Sequence, residues 1–349
     1  MQYSHVYFES IRDSLESVPN YKELNGQKIL VTGSTGLIGS AIVDIFIYLI
    51  EYLGYEIEIY AASRTKETAE ARFGMFATKK YFHVVVYEAN EDLKIPNMNL
   101  DYMIHCASNA HPQAYIDEPV ETMLGNFIGL NNLLKYAYLN KVKRVLYISS
   151  SEVYGKKPVE SLYQEDDFGY VNISSPRACY PSSKRAAETL CVSYIEEYDV
   201  DVVIARPGHI YGPTMTEKDS RASAEFFRTG MKNNHIVMKS AGNQLRSYCY
   251  VLDCVTAILC ILLNGSKGEA YNISNKNSIV TIRELAEEIS RQTQKEIIYS
   301  APTQQEKSGY NPMTCSALDS TKLESLGWEG KFTLEKGVAE TLSLLAYKY

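Results

Sequence analysis

Ile29-Leu30-Val31-Thr32-Gly33-Ser34-Thr35-Gly36-Leu37-Ile38-Gly39-Ser40 decides the fold. A short apolar run ends in three glycines spaced G-x-x-G-x-x-G, and a longer apolar run over 41–53 follows at once. The first run reads as a buried strand and the second as a helix. Glycine lets the turn between them bend sharply and approach a ligand where a Cβ would collide. The free N–H groups and positive dipole end of the new helix then face an anion such as a pyrophosphate. A glycine pattern alone is weak evidence; its place between a strand and a helix near the chain start gives it force. An ordinary glycine-rich turn is the competing reading.

The 349 residues suffice for one large domain or two modest ones. A hydrophobic content of 45% with 22% charged residues is that of an ordinary globular chain with a large core. The net charge of -7 argues against nucleic acid, which asks for a basic face. It does not exclude a small anionic ligand, which needs only local donors. Seven cysteines, at 106, 179, 191, 249, 254, 260 and 315, form no C-x-x-C pair. An odd, dispersed set fits reduced cytoplasmic thiols better than a disulfide frame or zinc site. Residues 1–20 are polar and mixed in charge, unlike a signal peptide, and 41–53 is too short to span a bilayer. No membrane partner is expected. His105, His111 and His209 match no ligand spacing, so no metal is expected either.

Outward from the glycine turn, strand and helix patterns alternate, with strands expected at 28–32, 56–62, 83–88, 102–107, 144–149, 200–206 and 270–273. This is the pattern of an α/β protein with a Rossmann-type, doubly wound parallel sheet. Ligands of such sheets bind outside the carboxyl ends of the strands. Residues 1–26, with Tyr7, Phe8, Ile11 and Leu15 at helical spacing, read as an N-terminal helical extension. Residues 27–212 read as the dinucleotide-binding domain, with 250–275 returning to it. Regularity weakens from about 212, and 213–349 reads mainly as a smaller C-terminal α/β lobe that closes over the crevice and selects the substrate.

The residues after each strand carry the next clues. After the second come Ser63 and Arg64, where an NAD site usually has an acidic residue for the ribose 2′-hydroxyl. None is present; Arg64 either meets a 2′-phosphate, which makes NADP an alternative to NAD, or is a plain surface arginine. Glu88 and Ala89 follow the third strand, where an adenine contact falls. His105-Cys106-Ala107-Ser108 closes the fourth with small residues where a cofactor backbone can pass.

Ser149-Ser150-Ser151-Glu152-Val153-Tyr154-Gly155 follows the fifth strand, and Tyr180-Pro181-Ser182-Ser183-Lys184 then opens a helix. Tyr180 and Lys184 are four apart and share a face. A free tyrosine is a poor base at neutral pH, and a nearby ammonium lowers its pKa. Tyr180 can then take a proton from a hydroxyl while Ser150 or Ser151 shares its hydrogen bonds.

These motifs resemble the extended short-chain dehydrogenase/reductase family, the nucleotide-sugar epimerases, dehydratases and decarboxylases, over about 27–328. The resemblance implies an NAD(P)-dependent enzyme that oxidises a sugar at C4 and often returns the hydride. It implies a homodimer formed through helices at 122–138 and 181–198. It assigns Thr32, Gly33, Thr35, Gly36, Leu37, Ile38 and Gly39 to the pyrophosphate loop, Ala107, Ser108 and Asn126 to the cofactor, and catalysis and the nicotinamide ribose to Tyr180 and Lys184. Tyr115, His209, Arg221 and Arg246 fall at substrate positions.

Within the family, Ser151-Glu152 lacks the acid of the dehydratase Asp-Glu pair. Ser-Glu-Val-Tyr-Gly and Pro176-Arg177-Ala178-Cys179-Tyr180 are most similar to the branch that decarboxylates UDP-glucuronate. There, oxidation at C4 makes a β-keto acid that loses CO2, and reduction gives UDP-xylose, with Glu152 assisting at C5–C6. A 4-epimerase, a 4,6-dehydratase, a reductase and a non-catalytic NAD(P)-binding sensor are the alternatives. Arg246 meets the nucleotide phosphates or a carboxylate, or else is a surface ion pair; Glu152 is either active or part of a local salt bridge. His209 stands where the family has an asparagine, Lys239 where it has an aromatic residue, and 308–311 lacks an expected basic pair.

Overall fold

The computed structural model describes residues 4–89, 99–232 and 235–346. The chain enters through helix α1 (His5–Leu15) and lays down β1 (Lys28–Thr32), α2 (Leu37–Leu53), β2 (Glu58–Ser63), α3 (Lys66–Phe73) and β3 (Phe82–Val86). It continues through β4 (Tyr102–His105), α4 (Pro112–Asp117), α5 (Pro119–Asn140), β5 (Arg144–Ile148), α6 (Cys179–Tyr198) and β6 (Val202–Pro207). It then leaves the sheet for β7 (His209–Tyr211), α7 (Ala222–Lys232), β8 (His235–Met238) and β9 (Leu245–Tyr250). Helix α8 (Val251–Asn264) and strand β10 (Ala270–Ile273) bring it back. The rest holds β11 (Ile279–Thr281), α9 (Ile282–Thr293), β12 (Glu296–Tyr299), α10 (Gln304–Ser308) and β13 (Cys315–Ser316), among shorter pieces and a closing helix.

Seven parallel strands stand in the order β10-β6-β5-β4-β1-β2-β3. Both faces are covered, so the strands are apolar almost without interruption; Ile29 through Thr32 are all buried. From β1 the chain winds outward through β2 and β3, then crosses to the other side of β1 for β4. The order therefore reverses between β1 and β4, and the crevice opens at their carboxyl ends, where Thr32 pairs in register with His105. The seven strands expected from the sequence are the seven of this sheet, in the same order along the chain; the six strands outside it among the described residues were not expected. Those expected at 83–88 and 102–107 stop earlier, at Val86 and His105, and after the second of them Cys106 turns into the crevice.

Helix α2 is buried along 39–49, between the sheet and helices α1 and α8. Helix α1 buries Tyr7, Phe8, Ile11 and Leu15. Asp44, fully buried in α2, accepts from the Tyr7 hydroxyl at 2.9 Å and pairs with Arg72 of α3 at 2.5 Å. That carboxylate fastens three helices together. The lone tryptophan, Trp328, is buried and donates from Nε1 to Thr256 Oγ1 of α8 at 3.1 Å. In the lobe, β11, β13 and β7 all pair with β9, and β8 pairs with β12. Among the described residues no helix is long and apolar enough to cross a membrane.

The glycine turn is held by space. Gly33 has φ of 62° and lies against Ala107; a Cβ on it would fall 2.9 Å from the Ala107 backbone. A Cβ on Gly39 would fall 2.3 Å from the Gly33 carbonyl oxygen. No flexible side chain is there to yield. Gly39→Ala should therefore cost about 2 kcal/mol of stability despite alanine's better helix propensity, read as a lower urea midpoint with an unchanged slope.

Candidate active site

One cleft of about 660 Å³ runs between the carboxyl end of the sheet and the lobe. Of the glycine turn, Ile38 is the residue that reaches it. Gly36 is the N-cap of α2, no side chain caps it, and the first turn holds no acidic residue. The leading N–H groups and dipole of a fully built helix are thus left for an anion. Thr32 Oγ1 lies 2.7 Å from His105 Nδ1 and accepts from the Ala107 amide at 3.3 Å, which fixes the small-residue loop over the turn. Burial drives His105 down to a pKa of about 3, so it is neutral. Ile38 and Ser108 line the cleft; Thr35 and Leu37 are half-buried beside it. Ser63 is buried and donates to the Thr65 carbonyl, while Arg64 and Glu88 are exposed and Ala89 half-buried at the strand ends.

The reacting end is built by β5 and α6. Beyond β5 the chain makes a 3₁₀ turn, Ser151–Tyr154, capped by Ser150, whose Oγ accepts from the Glu152 amide at 3.2 Å. Ser149, Ser150, Ser151 and Glu152 all line the cleft. Opposite them, α6 presents Tyr180 and Lys184, one turn apart as their spacing predicts. Lys184 Nζ donates to the Ile148 carbonyl at 2.8 Å and lies 5.8 Å from the centre of the Tyr180 ring. Asn126 does not line the cleft; it is buried one layer behind, donating to Ser183 Oγ at 3.0 Å, and Ser183 donates to the Tyr180 carbonyl. It braces the turn that carries Tyr180.

Electrostatics depart from the simple tyrosine–lysine expectation. The Tyr180 phenol is pushed up to about 12, first by burial and then by the Glu152 carboxylate; a Ser150 hydrogen bond and the charges of Arg221 and Arg177 oppose this only in part. Lys184, buried with a carbonyl but no carboxylate, is pushed down to about 7. In the protein alone, desolvation outweighs the help that Ser150 and the two arginines give to the phenol.

The remaining charges sort by partner. Glu152 pairs with Arg177 at 2.8 Å, so the local salt bridge and a place in the cleft are both facts of this residue. Arg221 grips Asp219 through two nitrogens, at 2.9 and 2.6 Å. Arg246 is different: 3% exposed, it donates only to the carbonyls of Leu245, Met313 and Thr314, and no carboxylate pairs with it among the described residues. The surface ion pair offered for it is thereby corrected. Tyr115 stacks on Tyr180 with ring centres 4.7 Å apart. His209 lies in register with Tyr248 on β9, two residues from Arg246, and is held neutral by burial.

Five buried polar atoms in the cleft wall find no partner among the described residues: Ser108 Oγ, Ser149 Oγ, His209 Nδ1, Gln244 Oε1 and Asn311 Nδ2. Buried polar groups are seldom left so, and a ligand rich in hydroxyls and phosphates is what would satisfy them. Ser149, Gln244, Asn311 and Arg177 escaped the sequence reading of the site. Arg177 could have been found by its place three residues ahead of Tyr180; the others carry no local signal. Among the described residues no group of histidine, cysteine and acidic side chains could hold a metal ion.

A switch-point crevice with an uncapped glycine turn, facing a tyrosine and lysine one turn apart, defines a dinucleotide-dependent enzyme of the epimerase and dehydratase type, and the chain belongs to the NAD-dependent epimerase/dehydratase family, whose model matches residues 29–274. Among its relatives, UDP-glucuronic acid decarboxylase 1 of Xenopus tropicalis is 31% identical over 325 residues, 92% of this chain and 72% of the relative. UDP-glucuronic acid decarboxylase 3 of Arabidopsis thaliana is 32% identical over 314 residues, 89% of this chain and 86% of the relative. In fold, the chain is similar to the UDP-glucuronic acid 4-epimerase of Bacillus cereus, with a TM-score of 0.77 at 19% identity over 92% of this chain and all of that one.

Burying Lys184 is costly. Its folded pKa of about 7 lies below the unfolded value, so between about pH 7 and pH 10 the unfolded chain binds the extra proton and stability rises with pH. Lys184→Met should raise the stability of the ligand-free protein by about 2 kcal/mol near pH 6.5, with the gain vanishing toward pH 10. Urea titrations at several pH values check this.

Proposed function

We propose that this protein is an NAD-dependent UDP-glucuronate decarboxylase. The observation that carries the reading is one cleft holding the Tyr180–Lys184 pair at its sheet end and the buried, carboxylate-free Arg246 on its lobe wall. The first can work on a sugar hydroxyl, and the second can fix a diphosphate or the sugar carboxylate through its planar fork. Relatives at about 30% identity over most of the chain, named for this activity, support it. NAD, when bound, supplies the hydride acceptor at C4 and a positively charged ring that favours the phenolate.

The chain's own residues do the rest. Tyr180 takes the C4 hydroxyl proton as hydride departs, and Ser150 shares the hydrogen bond. The product is a β-keto acid, whose carboxylate leaves as CO2 while its bonding electrons pass into the C4–C5 enolate. No strong acid is needed for that step, which suits a Glu152 already held by Arg177. Solvent water supplies the proton that the enolate takes at C5, and Tyr180 gives its own proton back to the C4 oxygen as hydride returns. UDP-xylose results. Incubation with UDP-glucuronate and NAD, followed by NMR and mass analysis, should show CO2 loss with no net change in NADH. A mass-neutral product would mean 4-epimerisation and loss of water dehydration. Tyr180→Phe should retain NAD binding and lose about a thousandfold in kcat. Equal binding of NAD and NADP would assign Arg64 to a 2′-phosphate.

The working form in this reading is a homodimer. Val120, Leu124 and Phe127 are exposed at helical spacing on α5, and further along the same helix Tyr138 is exposed against exposed Tyr198 of α6, their ring centres 4.8 Å apart. Exposed apolar residues along two packed helices fit a second copy. Leu124→Glu with Phe127→Glu should give a monomer by light scattering. Seven cysteines without a disulfide among them fit a reducing, cytoplasmic setting.

A further inference from the structure

Arg177 stands where several parts of the cleft meet. Its Nη2 donates to Glu152 Oε1 at 2.8 Å and its Nε to the Gly309 carbonyl at 3.0 Å. Its guanidinium lies 4.6 Å from the centre of the Tyr115 ring, which in turn stacks on Tyr180. Glu152 belongs to the turn after β5, Tyr115 to α4, and Gly309 to the lobe loop after α10. Gly309 itself presses on α4; a Cβ there would fall 2.9 Å from Ile116 Cδ1. A flat, five-donor fork can hold a carboxylate, a carbonyl and an aromatic face at once, which an ammonium cannot.

We propose that Arg177 is a positioning residue: it docks the lobe loop at Gly309 onto the cleft and fixes the Glu152 carboxylate and the Tyr115 ring beside the Tyr180 phenol. The inference rests on the reading of Tyr180 as the proton acceptor. The groups that face this phenol are Tyr115, Ser150, Glu152, Arg177, Arg221 and Lys184. The carboxylate opposes ionisation of the phenol; Ser150 and both arginines favour it. Lys184 is itself pressed toward neutrality by burial. Removing Arg177 therefore takes a favourable charge away and leaves the unfavourable one uncompensated, so Tyr180 ionises at higher pH.

Three variants test this: Arg177→Gln; Arg177→Lys, which keeps the charge and loses the fork; and Arg177→Gln combined with Glu152→Gln, which leaves neither charge buried alone. In the resting protein, amide hydrogen exchange over 306–312 should quicken about tenfold in Arg177→Gln and in Arg177→Lys, as expected for the loss of one charge-assisted tether. In turnover of UDP-glucuronate with NAD, the acidic limb of the kcat profile should move up by about one pH unit in Arg177→Gln. It should return in the double variant and stay in place in Arg177→Lys. Unchanged exchange in Arg177→Gln overturns the inference whatever reaction the protein performs. So does a loosened loop with an unmoved limb, the signature of a purely structural residue. If the wild-type protein does not turn over UDP-glucuronate, the decarboxylase reading fails and the exchange result alone decides the role of Arg177.

Discussion

Everything in the site follows from a contact that admits nothing larger than hydrogen, the approach of Gly39 to the carbonyl of Gly33. It sets the start of α2 directly against the end of β1. That placement points the uncapped helix terminus into the gap where the sheet order reverses. Gly33 applies the same constraint on its other side, where it receives the loop after β4. With both neighbours fixed, the ends of β1, β4 and β5 form one rim, and α6 meets it at Ile148 through Lys184. A site on strand ends and helix starts is held more firmly than one made of loops.

The cleft treats its charges in two ways. Glu152 with Arg177 and Asp219 with Arg221 are neutralised within the protein. Lys184 and Arg246 are buried with only carbonyls for company. Burying an ion without a counter-ion is unfavourable, and it persists where something else is meant to supply the charge. The fold thus bears two buried cations on carbonyls alone within the cleft, and keeps its own carboxylates for the other two.

How much of this could be read from the sequence depended on the range of the interaction. The glycine turn, the alternation of strand and helix and the Tyr180–Lys184 face rest on spacings of three, four or a few residues, and these are written in the chain. Strand ends were less legible: β4 stops at His105, where the chain turns into the crevice at Cys106, although apolar residues continue. The ionisation of Tyr180 ran against expectation because burial, which no spacing reveals, pushes the phenol up, and the groups that ease it are Ser150, Arg221 and Arg177 rather than the lysine. Arg177 was visible as part of a motif, yet its partners Tyr115, Glu152 and Gly309 come from separate elements that only the folded chain unites. Arg246 was ambiguous for the same reason: its three carbonyl partners belong to β9 and to the segment before β13.

The route of the chain has a consequence for how such a protein can diversify. It passes to the lobe after β6, returns at α8, and departs again after β10, so the two regions are interleaved rather than joined end to end. Residues 245–264 run unbroken from the wall that holds Arg246 into the helix packed beneath α2. A single genetic crossover cannot exchange one such lobe for another. New preferences on this scaffold must arise by point changes within the walls, or by several coordinated splices at once.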